Sequence, residues 1–116
     1  MPALHSNQIK PSLQTVPQWS KHAKTILRTF KFDGFLKVVA FVNRIAPKAQ
    51  RMNHHPDITI CFDQVTLTLT THDEGGITEK DFSLARQCDE VFAKFFESSA
   101  PLMSATQKKQ NKRIQP

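Results

Sequence analysis

Three of the five histidines stand where imidazole rings could do acid–base chemistry. His54 and His55 are adjacent and precede a predicted strand, and His72 closes the next predicted strand. If these strands form a hairpin that turns at Asp63–Gln64, His72 faces a position near His55, so the three rings converge at one end of the hairpin. The other two histidines match no pattern, and we interpret them as surface residues: His5 and His22.

Three converging imidazoles admit three interpretations. Three histidine ligands with an open fourth position can hold a catalytic zinc ion. Imidazole also titrates near neutral pH and can give or take a proton. The third interpretation is structural, with histidines that are hydrogen-bonded at a strand end. Adjacent side chains on an extended backbone point to opposite sides, which weakens the metal interpretation because His54 and His55 would have to reach one ion.

Two helices are predicted to support these strands. Asp33 offers an N-cap for the first, which we expect to end near Gln50, with Pro47 kinking it or distorting its last turn. Thr78 and Asp81 form a variant capping box for the second, which we expect to end near 97–101. The apolar residues of both helices recur at spacings of three and four: Phe35, Val38, Val39, Phe41, Val42, Ile45 and Ala46, then Phe82, Ala85, Cys88, Val91, Phe92, Phe95 and Phe96.

The N-terminal third contains less regular signals. At most a short helix fits around Ile9 to Gln14, with Pro11 in its first turn. Residues 25–32 are rich in β-branched and aromatic side chains, which favours a strand. We expect a turn near His22 to pair it with a shorter strand.

The segment between the helices predicts a hairpin. Apolar residues alternate with Thr or Cys over 58–62 and again over 65–70. Each alternation is typical of a strand with one buried face. We expect Phe62 to pair with Val65, and His72 to end the second strand on its threonine side.

This order of elements predicts an α+β fold, an antiparallel sheet of about four strands with two or three helices packed on one face. The threonine-rich face of the sheet would meet water or a partner. We divide the chain into a flexible N-terminal segment, 1–12, a folded domain, 13–97, and a basic, disordered tail, 98–116.

Composition limits the class of protein. The 116 residues, 39% hydrophobic and 22% charged, are typical of one globular domain. No apolar run is long enough for a bilayer and no signal peptide is evident. We therefore expect a cytoplasmic protein without a membrane partner, with the nucleus and the mitochondrion as alternative locations. Cys61 and Cys88 are predicted to be buried thiols. Half of the net charge of +6 lies in Glu97–Pro116, and we expect this tail to be solvated rather than to bind nucleic acid.

The residues around the histidines resemble the pterin-4a-carbinolamine dehydratase family. The resemblance rests on a His-His-Pro run at 54–56, an aromatic residue six positions later at Phe62, a Thr-His pair at 71–72 and an acid on the next helix, Asp81. It extends over most of the chain, from about residue 13 to residue 96.

The resemblance implies a hydro-lyase that dehydrates 4a-hydroxytetrahydrobiopterin to quinonoid dihydropterin and so supports tetrahydrobiopterin recycling, with no metal and no organic cofactor. It implies that three histidines are catalytic: His54 and His72 as general acids, and His55 as the residue that binds and orients the pterin and shares in proton transfer. It also implies a homodimer or homotetramer. The substrate-binding residues that it implies are His55, Pro56, Asp57, Thr71, Asp73 and Gln50.

One departure from the family pattern touches the site, because Gln50 stands where the family usually has an acid. The change removes a charge partner for a histidine or for the pterin. The resembled family also includes a dimerisation cofactor and transcriptional coactivator. A protein-binding role is therefore the alternative function, with Phe92, Phe95 and Phe96 of the last helix as the expected interface.

Overall fold

The computed structural model describes residues 2–97, and the predicted basic tail lies outside the described residues. These residues form three helices and a four-stranded sheet, which confirms the predicted α+β class. None of the described helices is long and apolar enough to cross a membrane. The elements in chain order are α1 (Ser6–Gln14), β1 (Ser20–His22), β2 (Thr25–Lys31), α2 (Phe35–Met52), β3 (Asp57–Cys61), β4 (Gln64–Leu69), a 3-10 turn (His72–Glu74) and α3 (Glu79–Phe95).

The sheet is antiparallel with strand order β1-β2-β4-β3, so β2 and β4 are its central strands. Val65 of β4 pairs with Phe30 of β2, and both side chains are buried. The alternate residues form the predicted threonine face, where the hydroxyls of Thr29 and Thr66 lie 2.8 Å apart. The core therefore lies on one side of the sheet, as the alternation along β4 predicted.

The prediction that β3 buries one face is wrong. This strand is an edge of the sheet and pairs only with β4 among the described strands. Ile58 and Ile60 oppose buried residues of β4, yet they are 40% and 41% exposed. Cys61 at the end of the strand is exposed as well, contrary to prediction. Alternation in the sequence marks a strand, but it does not say whether another layer covers that strand.

The hairpin turns one residue earlier than predicted, at Phe62–Asp63 and not at Asp63–Gln64. Cys61 pairs with Gln64, so Phe62 and Asp63 form the turn, and the predicted pair of Phe62 with Val65 is wrong. Phe62 takes a left-handed conformation with φ of 52°, which is uncommon for a bulky residue. Strand β4 ends at Leu69, so the pairing does not extend to His72, which was expected to end this strand.

Helix α2 begins and ends differently from prediction. Gly34, with an extended backbone, precedes its first residue, and no side chain caps the helix there. Asp33 is exposed, and its Oδ2 atom lies 3.9 Å from Nζ of Lys37 in a surface ion pair. The helix continues through Pro47 to Met52, past the expected end near Gln50.

An aromatic cluster fixes the C-terminal part of α3 to the sheet and α2. Phe92 lies 5.2 Å from Phe30 between ring centroids, and Phe96 lies 5.8 Å from Phe41. These rings are thus used in the core, whereas Phe95 is 47% exposed. The expected protein interface is therefore reduced to one of its three phenylalanines.

The N-terminal segment carries a helix longer than predicted. Helix α1 begins at Ser6, and Pro11 lies in its interior and not in its first turn. Ile9 is buried, and the amide of Leu4 donates to the carbonyl of Ile77 at 2.8 Å. These contacts join the segment to the loop before α3, and its flexibility in solution stays a prediction.

Candidate active site

His54 is turned into the protein by the way in which α2 ends. Asn53 adopts the left-handed conformation, with φ of 51° and ψ of 44°, which asparagine tolerates better than most residues with a side chain. The amide of His54 can then donate to the carbonyl of Ala49 at 3.0 Å and close the helix. As a result His54 is only 7% exposed.

A buried carboxylate holds the imidazole of His54. Its Nε2 atom lies 2.5 Å from Oδ1 of Asp81, which is fully buried in the first turn of α3. Oδ2 of Asp81 accepts from the amide of Thr78 at 2.9 Å and from the hydroxyl of Thr71 at 3.0 Å. Both carboxylate oxygens are thereby fixed, in a position where the helix dipole stabilises negative charge.

The same network ties the end of β4 to the start of α3. The hydroxyls of Thr71 and Thr78 lie 2.8 Å apart, and both residues are buried. Thr71 also forms an isolated bridge with Gly76, with its amide donating to the Gly76 carbonyl at 3.0 Å. This bridge closes the short excursion that begins at His72. Asp81 therefore connects His54 with the residue that directly precedes His72.

His72 lies on the outside of this network. It begins the 3-10 turn that leads to Gly75, whose left-handed φ of 76° reverses the chain. His72 and its neighbour Asp73 are both exposed. A ligand in solution can reach this imidazole, while the backbone on either side of the turn is held by the bridge between Thr71 and Gly76.

His55 and Gln50 form a second, exposed pair. Nε2 of His55 lies 2.9 Å from Oε1 of Gln50, on the last turn of α2. Pro56 restricts the backbone of His55 to extended geometry and is itself half-buried. The amide oxygen orients the ring by accepting from Nε2, which leaves Nδ1 open, but it supplies no negative charge. Asp57, the first residue of β3, is exposed.

The structure places four of the residues proposed from sequence in two hydrogen-bonded sets. His54 and Thr71 share the Asp81 network, and His55 and Gln50 share a hydrogen bond. Within residues 2–97 no hydrogen bond joins any two of the three imidazoles to each other. The same residues hold no cluster of three or more His, Cys, Asp or Glu side chains placed for a metal ion. That the site uses no metal stays a prediction.

The sequence predicted a capping box at Thr78 and Asp81, and Asp81 also belongs to the family resemblance, but neither observation indicated that Asp81 contacts a histidine. The capping box is confirmed, since the Thr78 side chain accepts from the amide of Lys80 and Asp81 accepts from the amide of Thr78. The sequence signal at this position was Asp81 itself, because a capping box usually has glutamate there. No local pattern could have shown which distant side chain its second oxygen would meet.

The fold and the site define a small α+β protein in which one histidine is held by a buried carboxylate and two others face solvent. Residues 2–91 match the family described as pterin 4 alpha carbinolamine dehydratase. The chain belongs to that family, a family of hydro-lyases, as its residues 54–81 had suggested.

Relatives and solved structures agree with this assignment. A protein of Picosynechococcus sp. is 44% identical over 88 residues, which are 76% of this chain and 96% of the relative. One of Thermomicrobium roseum is 45% identical over 91 residues, which are 78% of this chain and 98% of the relative. Both carry the provisional name pterin-4-alpha-carbinolamine dehydratase.

Two solved structures share the fold. The crystal structure of a transcriptional coactivator/pterin dehydratase from Brucella melitensis matches with a TM-score of 0.74 and 31% identity, over 77% of this chain and 97% of that one. A pterin dehydratase-like protein described as a RuBisCO assembly factor in the alpha-carboxysome has a TM-score of 0.52 and 20% identity, over 63% of this chain and 84% of that one. The second likeness concerns the fold alone.

Proposed function

We propose that this protein dehydrates 4a-hydroxytetrahydrobiopterin to quinonoid dihydropterin by histidine acid–base catalysis, in support of tetrahydrobiopterin recycling. The observation that carries the proposal is the buried pair of His54 and Asp81, whose hydrogen bonds reach Thr71 beside the exposed His72. Membership of the dehydratase family supplies the substrate class.

The reaction requires proton transfer at two atoms of the substrate, the 4a oxygen and the adjacent ring nitrogen. Hydroxide is a poor leaving group, so a protonated imidazole must give its proton to the 4a oxygen as the C–O bond breaks. The lone pair of the adjacent ring nitrogen forms the new C=N bond, and that nitrogen releases its proton to water or to a neutral imidazole, either of which can accept it. One water molecule leaves. General acid help of this kind contributes about 10²–10⁴ in rate.

The proposed roles follow from access and from hydrogen bonding. His72 is exposed and is proposed as a general acid that meets the leaving oxygen. His54 is proposed as the second acid. Because its Nε2 faces Asp81, its Nδ1 is the atom left for exchange with the substrate. His55, oriented by Gln50, is proposed to bind and orient the pterin and to share in proton transfer. Pro56, Asp57 and Asp73 are proposed to contribute to binding.

The test is a rate measurement on the purified protein. We expect it to accelerate the conversion of 4a-hydroxytetrahydrobiopterin to the quinonoid product, followed by absorbance, and to do so equally with and without a chelator. A rate that falls on chelation would support a metal-dependent reaction instead. A folded protein that leaves the spontaneous rate unchanged would overturn the proposal.

We further propose that the protein works in the cytoplasm as a homodimer or homotetramer. Ile58 and Ile60 are exposed apolar side chains on β3, whose outer edge pairs with no other strand of residues 2–97, and they support self-association. Sedimentation of the full chain would test this, and a monomer at micromolar concentration would contradict it. The coactivator role named for the Brucella melitensis protein is less favoured here, because Phe92 and Phe96 are used in the core.

A further inference from the structure

A groove of about 540 Å³ lies between α2 and α3. None of the candidate site residues lines it. Four of its lining side chains are cationic and one is acidic. The charged residues that line it are Arg44, Lys48, Arg51 and Lys94, with Glu90 as the acid.

Three of these cations form one stripe on α2. Arg44, Lys48 and Arg51 follow one another at helical spacings of four and three residues, so they span about 10.5 Å along one side of the helix. Like charges at such spacings destabilise a helix. In the part of the chain that the structure describes, none of the three forms an ion pair. Within residues 2–97 no acid is therefore ion-paired with the stripe, although Glu90 lines the same groove.

An aromatic ring lies among the cations. Phe95 is 47% exposed, and the guanidinium carbon of Arg44 lies 3.7 Å from its ring centroid. The ammonium of Lys94 lies 5.5 Å from the same centroid. Cation–π contacts of this kind hold long side chains in place. With Pro47, the ring gives the groove an apolar surface beside its positive charge.

These features select among anionic ligands. A single phosphate or carboxylate cannot reach all of a stripe about 10.5 Å long, so the ligand must carry several anionic groups. Nucleic acid carries a phosphate on every nucleotide, so a phosphate placed against Glu90 would be repelled. A peptide can place a neutral residue opposite Glu90. An amphipathic helix also offers apolar side chains to Phe95. The chain's own residues 98–116 contain four cations and no acid, so they do not complement the groove.

We propose that the groove between α2 and α3 binds an acidic amphipathic helix of a partner protein. The carboxylates of that helix pair with Arg44, Lys48 and Arg51, and its apolar side chains cover Phe95. This site is separate from the proposed catalytic residues, so the binding and the dehydratase activity are measured independently.

A fluorescence anisotropy titration tests the proposal. The probe is a labelled synthetic helical peptide with glutamates along one edge and leucines along the other. Lys48→Glu places an acid between Arg44 and Arg51, which relieves repulsion within α2 and preserves the helix. We expect Lys48→Glu to weaken binding about five- to tenfold, and the control Lys10→Glu, an exposed charge reversal outside the groove, to leave it nearly unchanged.

A second titration reverses the charges of the peptide. A peptide with lysines in place of the glutamates should bind Lys48→Glu more tightly than it binds the unmodified protein. Equal weakening by Lys48→Glu and Lys10→Glu would show that net charge alone attracts the peptide, and it would overturn the proposal. Equally tight binding of a scrambled peptide of the same composition would overturn it as well. Tighter groove-dependent binding of a single-stranded oligonucleotide, loss of self-association in Lys48→Glu, or no binding at all would also overturn it.

Discussion

Nε2 of His54 and Oδ1 of Asp81 lie 2.5 Å apart although 27 positions separate the two residues. The contact joins the end of α2 to the first turn of α3. Asp81 is at once the helix cap of α3 and the partner of a proposed catalytic imidazole. Folding stability and activity should therefore depend on the same carboxylate.

We expect Asp81→Asn to lower the free energy of unfolding by about 2–4 kcal/mol, because an amide cannot accept at both positions and leaves buried partners unsatisfied. Urea denaturation measures this change. The matched control is Asp33→Asn, whose carboxylate is exposed and should matter by no more than about 0.5 kcal/mol. Equal stability of the two variants would mean that the buried network contributes little.

The three proposed catalytic histidines should separate by their effect on stability. His72→Ala removes an exposed side chain, so we expect unfolding to change by less than about 0.5 kcal/mol while the dehydration rate falls about 10²–10⁴-fold. His54→Ala should reduce both quantities. We expect His55→Ala to lose the most activity, since orientation of the pterin would be lost as well.

Activity and urea denaturation of all three variants check these expectations, with the exposed His22→Ala as the control. A His72→Ala variant with full activity would remove that residue from the mechanism. Full activity of His55→Ala would equally contradict its role in orienting the substrate.

Gln50→Glu should move the alkaline limb of the pH–rate profile to higher pH. The carboxylate would stand 2.9 Å from the His55 ring nitrogen in place of a neutral amide oxygen, and a nearby negative charge stabilises the imidazolium. The profile of kcat measures the shift. Gln14→Glu, which adds the same charge at the exposed end of α1, should leave the profile in place. Identical profiles for Gln50→Glu and the unmodified protein would show that His55 does not titrate in the rate-limiting step.

The two cysteines should differ sharply in reactivity. Burial, followed by the nearby charge of Asp89, raises the pKa of the Cys88 thiol from 9.0 to about 12, whereas Cys61 is exposed on the edge strand. A thiol reagent at neutral pH should label Cys61 alone in the native protein and both thiols after unfolding. Rapid labelling of Cys88 in the folded state would contradict the structure.

The raised pKa of Cys88 also has a consequence for stability. Burying the neutral thiol contributes fully below pH 9.0, and this contribution is lost as the pH rises from 9.0 toward 12, because the unfolded chain then ionises first. The free energy of unfolding should fall as the pH rises through that window, and it should fall less steeply in Cys88→Ala. Urea denaturation at several pH values compares the two proteins, and equal slopes would contradict this linkage.

Asn53 should tolerate glycine but not a β-branched residue. Its left-handed backbone places His54 inside the protein, so Asn53→Val should cost about 1–2 kcal/mol while Asn53→Gly changes stability little. Thermal denaturation compares the two variants. If valine is accepted without cost, the turn after α2 does not constrain His54 in the way proposed here.

Local patterns in the sequence determined most of the secondary structure. The capping box at Thr78 and Asp81 and the alternation along β4 act between near neighbours, and both are confirmed. The His-His-Pro run with its spaced partners, Phe62, His72 and Asp81, determined the family. Caps and periodicity can be read from the sequence because they depend on side chains only a few positions apart. The motif from His54 to Asp81 spans 27 positions and is recognised by its resemblance to the family.

Only the tertiary structure decided what covers each element and which distant groups meet. Ile58 belongs to an alternating strand but lies at the edge of the sheet, where the rest of residues 2–97 leaves it 40% exposed. Cys61 is exposed on the opposite face of the same strand. Phe62 enters the turn through a left-handed backbone that sequence preference disfavours, and the hairpin register moves with it. The partner of His54 likewise depends on where α3 packs against the end of α2, because contacts between residues far apart in the chain are set by packing and leave no periodic trace in the sequence.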